Sequence, residues 1–263
     1  MIARLGLALI VACALGSLPR SARSQEFEGA APVIHESAAL LLERGLPPAA
    51  ASARFEAIAV RWFGLEELAT SSLAVEGGWR GARTALGVSR TGQAELGWSA
   101  LAIAGGWADA RGGAAVRAVL RGQSGEGGGG TRGIEAGAGA WAAASRLVRV
   151  WASAPQLWMD GEAPPLERRL ELGVRWSAGE VELWLSHAMA PGAAGDLRGE
   201  HAAGVAAHAG PITVWTHVQD APPRGGFGLV IHWRGLEVAC QSDTHPVLGE
   251  TFRLGIAAGS GAP

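Results

Sequence analysis

The chain has 263 residues, 17% of them charged and 48% nominally hydrophobic, with a formal charge of −2. That balance excludes a highly charged disordered chain and a basic nucleic-acid surface. The 40 glycines and an apolar fraction rich in alanine make poor material for a soluble core, because burial contributes roughly 25 cal/mol per Å² and alanine offers little area.

Residues 1–24 read as an export signal. One basic residue precedes an apolar run from Leu5 to Gly16, and small residues stand before Ser17 and before Gln25. The run is shorter than the about 20 residues that a helical span needs. Ile10-Val11-Ala12-Cys13 resembles a lipoprotein cleavage box with Cys13 as the lipidated residue, and this route stays open beside cleavage near Ser24. Once the signal is cut near Ser24, Cys240 is the one thiol left, so the fold has no internal disulfide and depends on backbone pairing and packing. No other segment approaches 18 uninterrupted apolar residues, which excludes helical membrane spans.

Residues 25–50 form a separate N-terminal segment, a short helix or plug. Glu36 to Arg44 predicts a helix, ended by Gly45 and the Pro47-Pro48 pair. Residues 51–263 change character and read as one β domain. Segments of about ten residues with period-two patterning recur between Gly, Pro, Asp and Ser clusters, and predict fourteen strands near 52–62, 68–79, 81–91, 93–107, 111–122, 131–141, 143–153, 166–177, 179–188, 198–209, 211–220, 224–234, 235–243 and 249–258.

The second half is patterned best. "LERRLELGVRW" places Leu170, Leu172, Val174 and Trp176 on one face and Glu167, Arg169, Glu171 and Arg175 on the other. The next strand sets Val181, Leu183 and Leu185 against Glu180 and Glu182. Phe227, Leu229 and Ile231 follow, then Phe252, Leu254 and Ile256, with Arg234, Glu237 and Arg253 on the opposite faces. The first half is less clean: Ile58, Val60 and Trp62 oppose Phe55, Ala57 and Ala59, as in a strand covered on both sides.

A soluble β-sandwich would alternate in the same way. Three features favour an all-β, antiparallel up-and-down transmembrane barrel of about fourteen strands with a short N-terminal helical segment. They are the export signal, the near absence of helices, and Trp recurring near strand ends (Trp62, Trp79, Trp107, Trp151, Trp176 and Trp233), as in interfacial girdles. Trp is amphipathic, and the chain holds 11 of them with 5 Phe and no Tyr. On this reading the Leu, Val, Ile and Phe positions named from Leu170 to Ile256 face lipid. The charged positions face the lumen, where mixed signs either pair into a filled polar interior or line a conduit.

The ending "GGFGLVIHWRGLEVACQSDTHPVLGETFRLGIA" resembles the C-terminal hairpins of PorV/PorQ-like outer-membrane proteins, a branch of the FadL-type transporter barrels. The resemblance is carried by Gly235, Leu236, His245, Pro246, Leu248, Gly249, Thr251, Arg253, Leu254 and Gly255. "RWFGLEELATSSLAV", "GVSRTG" and "PPLERRLELGVRW" are similar to earlier strands of the same family, so the likeness spans about residues 52–258. It implies a bacterial outer-membrane barrel that passes small, hydrophobic molecules or assists secretion, with outer-membrane lipid and secretion-machinery or cell-envelope proteins as partners and no nucleic acid. The family's Asn-Pro-Ala stretch ahead of the first hairpin is absent, so its N-terminal insert is shortened or diverged here. The alternative is a soluble or lipid-anchored periplasmic β-protein that binds a partner.

No enzyme and no cofactor is expected. Cys240, Ser242, Asp243 and His245 suggest a nucleophile, but alternation sends Cys240 and Ser242 to the face opposite Asp243. His201 and His208, seven apart, fall on opposite faces, and with His187, His217 and His232 they show no metal spacing. "GEGGGGTRG" lacks the Lys-Ser/Thr of a phosphate loop.

Overall fold

The computed structural model describes residues 37–49, 53–93, 97–124, 130–161, 169–191, 197–220, 223–245 and 247–259. The signal region, Cys13 and Glu167 lie outside them.

Fourteen antiparallel strands close into a barrel in sequence order. They are β1 (Arg54–Arg61), β2 (Ala69–Trp79), β3 (Ala82–Gly92), β4 (Gly97–Ala108), β5 (Gly112–Ser124), β6 (Gly130–Ala143), β7 (Val148–Gly161), β8 (Leu170–Ala178), β9 (Val181–Pro191), β10 (Leu197–Ala209), β11 (Ile212–Asp220), β12 (Pro223–Trp233), β13 (Leu236–His245) and β14 (Gly249–Gly259). β1 closes on β14 from Arg54 opposite Gly259 to Arg61 opposite Phe252. Closure leaves no open sheet edge.

Tight turns gather at one end of the barrel and longer connections at the other. Two of the tight turns repeat the tripeptide Trp-Arg-Gly. In Trp79-Arg80-Gly81 and Trp233-Arg234-Gly235 both central residues have positive φ (48° and 89°, 50° and 82°), the backbone of a type I′ hairpin. Glycine takes the second position without strain, and each arginine lies over the preceding indole, 4.6 and 5.5 Å from the ring centroid. Arg234 is therefore an exposed turn residue rather than a lumen residue. Glu180, in the β8–β9 turn, is likewise exposed; in both cases the turn ends the alternation before the residue can inherit a face. β7 starts later than 143 because Ser145 turns the chain, its hydroxyl accepting from the N–H groups of Leu147 and Val148.

Outside, large apolar side chains are exposed on every strand: Leu73 and Val75, Leu86 and Val88, Leu101 and Ile103, Leu183 and Leu185, Phe252 and Leu254, among others. Trp79, Trp107, Trp176 and Trp233 ring the tight-turn side of this band. Trp62 and Trp151, in contrast, point inward. A band of this extent is at home in hydrocarbon, not water.

Residues 37–49 run inside the barrel. Helix α1 (Ala38–Arg44) is capped by the Ser37 hydroxyl, which accepts from the Leu40 N–H at 3.0 Å, and by Gly45 with φ 66°. Leu41 and Leu42 are fully buried against Ala74, Ala85, Ala100, Ala102, Ala104, Ala115 and Val119. These wall residues are small because a helix must fit beside them. Ala39 packs with Ile58, Val60 and Trp62, which gives β1 its second apolar face.

Candidate functional site in the barrel lumen

Among the described residues, the lumen is where the fold brings charged side chains together in number. At the tight-turn end, Glu56 of β1 accepts from the Ala38 and Ala39 N–H groups at 3.1 and 3.0 Å, placing a carboxylate on the first turn of α1. Arg54 bridges this carboxylate to Glu237 of β13, at 2.5 and 2.6 Å. His232 approaches Glu237 to 3.5 Å.

The remainder of the internal segment is held by the wall of β3 to β8. Arg44 pairs with Glu171 at 2.6 Å. The Ser153 hydroxyl donates to the Arg44 carbonyl at 2.6 Å, and the Trp141 indole donates to that of Pro47 at 2.7 Å. Arg83 donates to the carbonyls of Pro48 and Ala49 at 3.1 and 2.8 Å. Gly45 touches the wall directly: a Cβ there would stand 2.7 Å from the Gly139 nitrogen. Arg44 ends the helix and residues 47–49 lie outside helix and strand, so wall donors supply hydrogen bonds to these carbonyls.

Ion pairs elsewhere tie strand to strand. Glu135 of β6 receives Arg117 and Arg121 of β5 at 2.7 and 3.0 Å, all three groups buried. Arg117 also donates to the carbonyl of Pro155, freed where β7 bulges and its register against Ala136 and Ala138 shifts. Arg169 meets Glu200 at 3.2 Å, and Glu182 lies 4.0 Å from Arg175 and 3.8 Å from His208. Asp243 holds Arg253, Gln241 and His217.

The expected lumen residues thus divide. Arg169, Glu171, Arg175, Glu182, Glu237 and Arg253 point inward, each with a partner; Glu180 and Arg234 occupy turns. The twelve residues from Leu170 to Ile256 assigned to lipid point outward by strand register. Leu170 is packed there with Ala138, Ala140 and Ala154, and with the partly buried Leu172 and Met189.

A belt of tryptophans crosses the lumen nearer the tight-turn end. Trp141, Trp151, Trp184 and Trp215 project inward from β6, β7, β9 and β11 and pack in one cluster with Leu46, Ala206 and Val230. From β7 to β9 to β11 each Trp sits two residues nearer the tight turns than strict pairing would place it, the offset that strand tilt requires for a level ring. Glycine makes this possible. Gly173, Gly204 and Gly228 stand opposite Trp151, Trp184 and Trp215, and a Cβ at any of them would fall 2.0–2.5 Å from the ring.

The sequence reading missed this belt, Glu56, Arg83, Ser153 and the Glu135 group. Charges in "ARTALGVSR", "AVRAVLRG" and "GIEAGAGAW" were the available signal, since charge inside Ala/Leu/Val text marks the face away from lipid. Cys240 and Ser242 point outward and Asp243 inward, which separates the would-be nucleophile from its acid. His245 accepts from the Val247 and Leu248 N–H groups and shapes a loop. Among the described residues no group of three or more His, Cys, Asp or Glu could hold a metal ion.

No family model matches the chain, and no curated protein does. Solved structures do. A bacterial polysaccharide outer membrane secretin aligns with TM-score 0.54 and 9% identity, over 78% of this chain and 97% of that one. A KdgM porin aligns at 0.45 and 7%, and a mutant porin of Rh. blastica at 0.43 and 10%, each over 80% of this chain and 99% of the other. At these identities the likeness to the secretin is one of fold.

Proposed function

We propose that the protein is a bacterial outer-membrane β-barrel conduit, closed by its own residues 37–49, that passes small molecules once this segment shifts. The observation that carries the reading is the pairing of an apolar outer band with a polar interior whose blocking segment is a separate, hydrogen-bonded piece of chain. A barrel that served only as a static anchor would need no Trp belt packed on Leu46 of an internal segment. Apolar rings and Leu46 at one level make a constriction that excludes water and ions.

The resemblance to PorV/PorQ-like and FadL-type barrels supports small hydrophobic cargo or a secretion-accessory role. Residues 1–24 would direct export and be removed. The alternative, a soluble periplasmic β-protein, would leave the outward Leu, Val and Phe of fourteen strands in water.

Two measurements test the reading. Carbonate-washed membranes of an expressing bacterium retain the protein, and it shifts on an unheated gel relative to a boiled one. In planar bilayers the intact chain gives small or rare conductance, and a chain lacking residues 37–49 gives frequent, larger steps. A protein that washes off in buffer overturns the membrane assignment; a deletion as silent as the intact barrel overturns the conduit.

A further inference from the structure

We infer that the outward loop-side rim of β3 to β6 is a binding site for the phosphate of a lipid headgroup, built around Arg90 and Arg132. The inference rests on the membrane reading above and adds a ligand to a face that reading leaves uniform.

Strand register places Arg90 opposite Ser99, Ser99 opposite Gly122, and Gly122 opposite Arg132, so four neighbouring strands present Arg, Ser, Gly, Arg in one outward row. With strands about 4.8 Å apart the two arginine backbones stand about 14 Å apart, within reach of a shared group between their long side chains. Both arginines line the same cavity of about 620 Å³, with Ser99 and Gly122 between them. Gly122 keeps the middle of the row open; a Cβ there would meet the Ser99 hydroxyl at 3.3 Å. Both arginines are exposed, and neither makes a hydrogen bond or ion pair with a described residue. This sets them apart from Arg54, Arg117, Arg169 and Arg253, each of which is paired inside.

The adjacent outward row, one step toward the middle of the barrel, is Val88, Leu101, Leu120 and Ile134, again in register and all exposed. A two-cation row above a four-residue apolar row matches a phospholipid: phosphate between guanidiniums that can bind its oxygens in pairs, acyl chain along the aliphatic strip. The commitment is to a bilayer lipid, because a free anion would have no use for the strip.

The test is native mass spectrometry of the folded chain released from detergent, titrated with phosphatidic acid, with the matching diacylglycerol and with inorganic phosphate. The expected result is one retained phosphatidic acid, bound at least tenfold more weakly by R90Q/R132Q and equally well by R80Q/R234Q at the opposite rim. All variants should keep the heat-dependent gel shift. Equal retention by R90Q/R132Q, equal retention of diacylglycerol, or saturation by inorganic phosphate at the same concentration would each overturn the site. A chain that needs no detergent at all would overturn the membrane reading instead, so the two failures are distinguishable.

Discussion

Two residues show how the lumen constrains side-chain choice. Glu135 is 2% exposed and accepts from both Arg117 and Arg121. Removing one partner of a buried ionic group leaves charge uncompensated, typically at about 3–5 kcal/mol. Glu135→Gln is accordingly expected to lower the unfolding free energy by an amount in that range, seen as a lower urea midpoint for loss of the gel shift. Gly228 makes a steric argument instead. Its Cβ would enter the Trp215 ring at 2.0 Å, whereas a Cβ on Gly225 in the same strand meets nothing closer than the His217 carbonyl at 3.7 Å. Gly228→Ala is expected to destabilise by about 1–3 kcal/mol, the usual range for overpacking, while Gly225→Ala leaves the midpoint unchanged or slightly raised. Equal effects in the two variants would mean that Trp215 does not rest on Gly228.

Among the elements, α1 is the one on which the proposed conduit turns. Seven residues are too few for an isolated helix to persist in water, so its order comes from the wall: Glu56 at its start, Ser153 and Glu171 at its end, alanines along its side. Gly45 is a tight joint, with positive φ and no room for a Cβ against the Gly139 backbone. Gly45→Ala strains both. It is expected to speed amide hydrogen exchange in residues 38–45 at least tenfold while β9 to β14 exchange as before, and to raise the frequency of conductance steps. Much of this architecture was legible beforehand. The fourteen strands and the helix ended by Gly45 follow from period-two patterning and from cap chemistry, both local. The belt and the Glu135 group were not legible, because an inward Trp and an outward girdle Trp look alike within a single strand. The face is fixed only by register, and in β2 to β5 the alanines that receive α1 erase the contrast between faces.

For the whole molecule, the decisive question is what the outer face touches, and Cys240 can report on it. It lies in β13 between Leu229 and Leu254 of the neighbouring strands, outward and exposed. If hydrocarbon surrounds the barrel, a charged water-soluble reagent cannot reach this thiol, because the charge would have to leave water for an apolar medium. A chain with Cys13→Ser, inserted in vesicles, is therefore expected to resist a charged maleimide yet react with a pyrene maleimide dissolved in the bilayer. Unfolding in urea should open it to both. An inward or loop-end residue such as Thr251→Cys or Val247→Cys serves as the contrast: Val247, 84% exposed beyond the strands, should take the charged reagent in intact vesicles. Rapid labelling of Cys240 by the charged reagent in folded, vesicle-bound protein would mean that water reaches the Leu229–Cys240–Leu254 row. The outward apolar band would then require a protein partner rather than lipid to cover it, and both the conduit and the Arg90–Arg132 lipid site would lose the environment on which they depend.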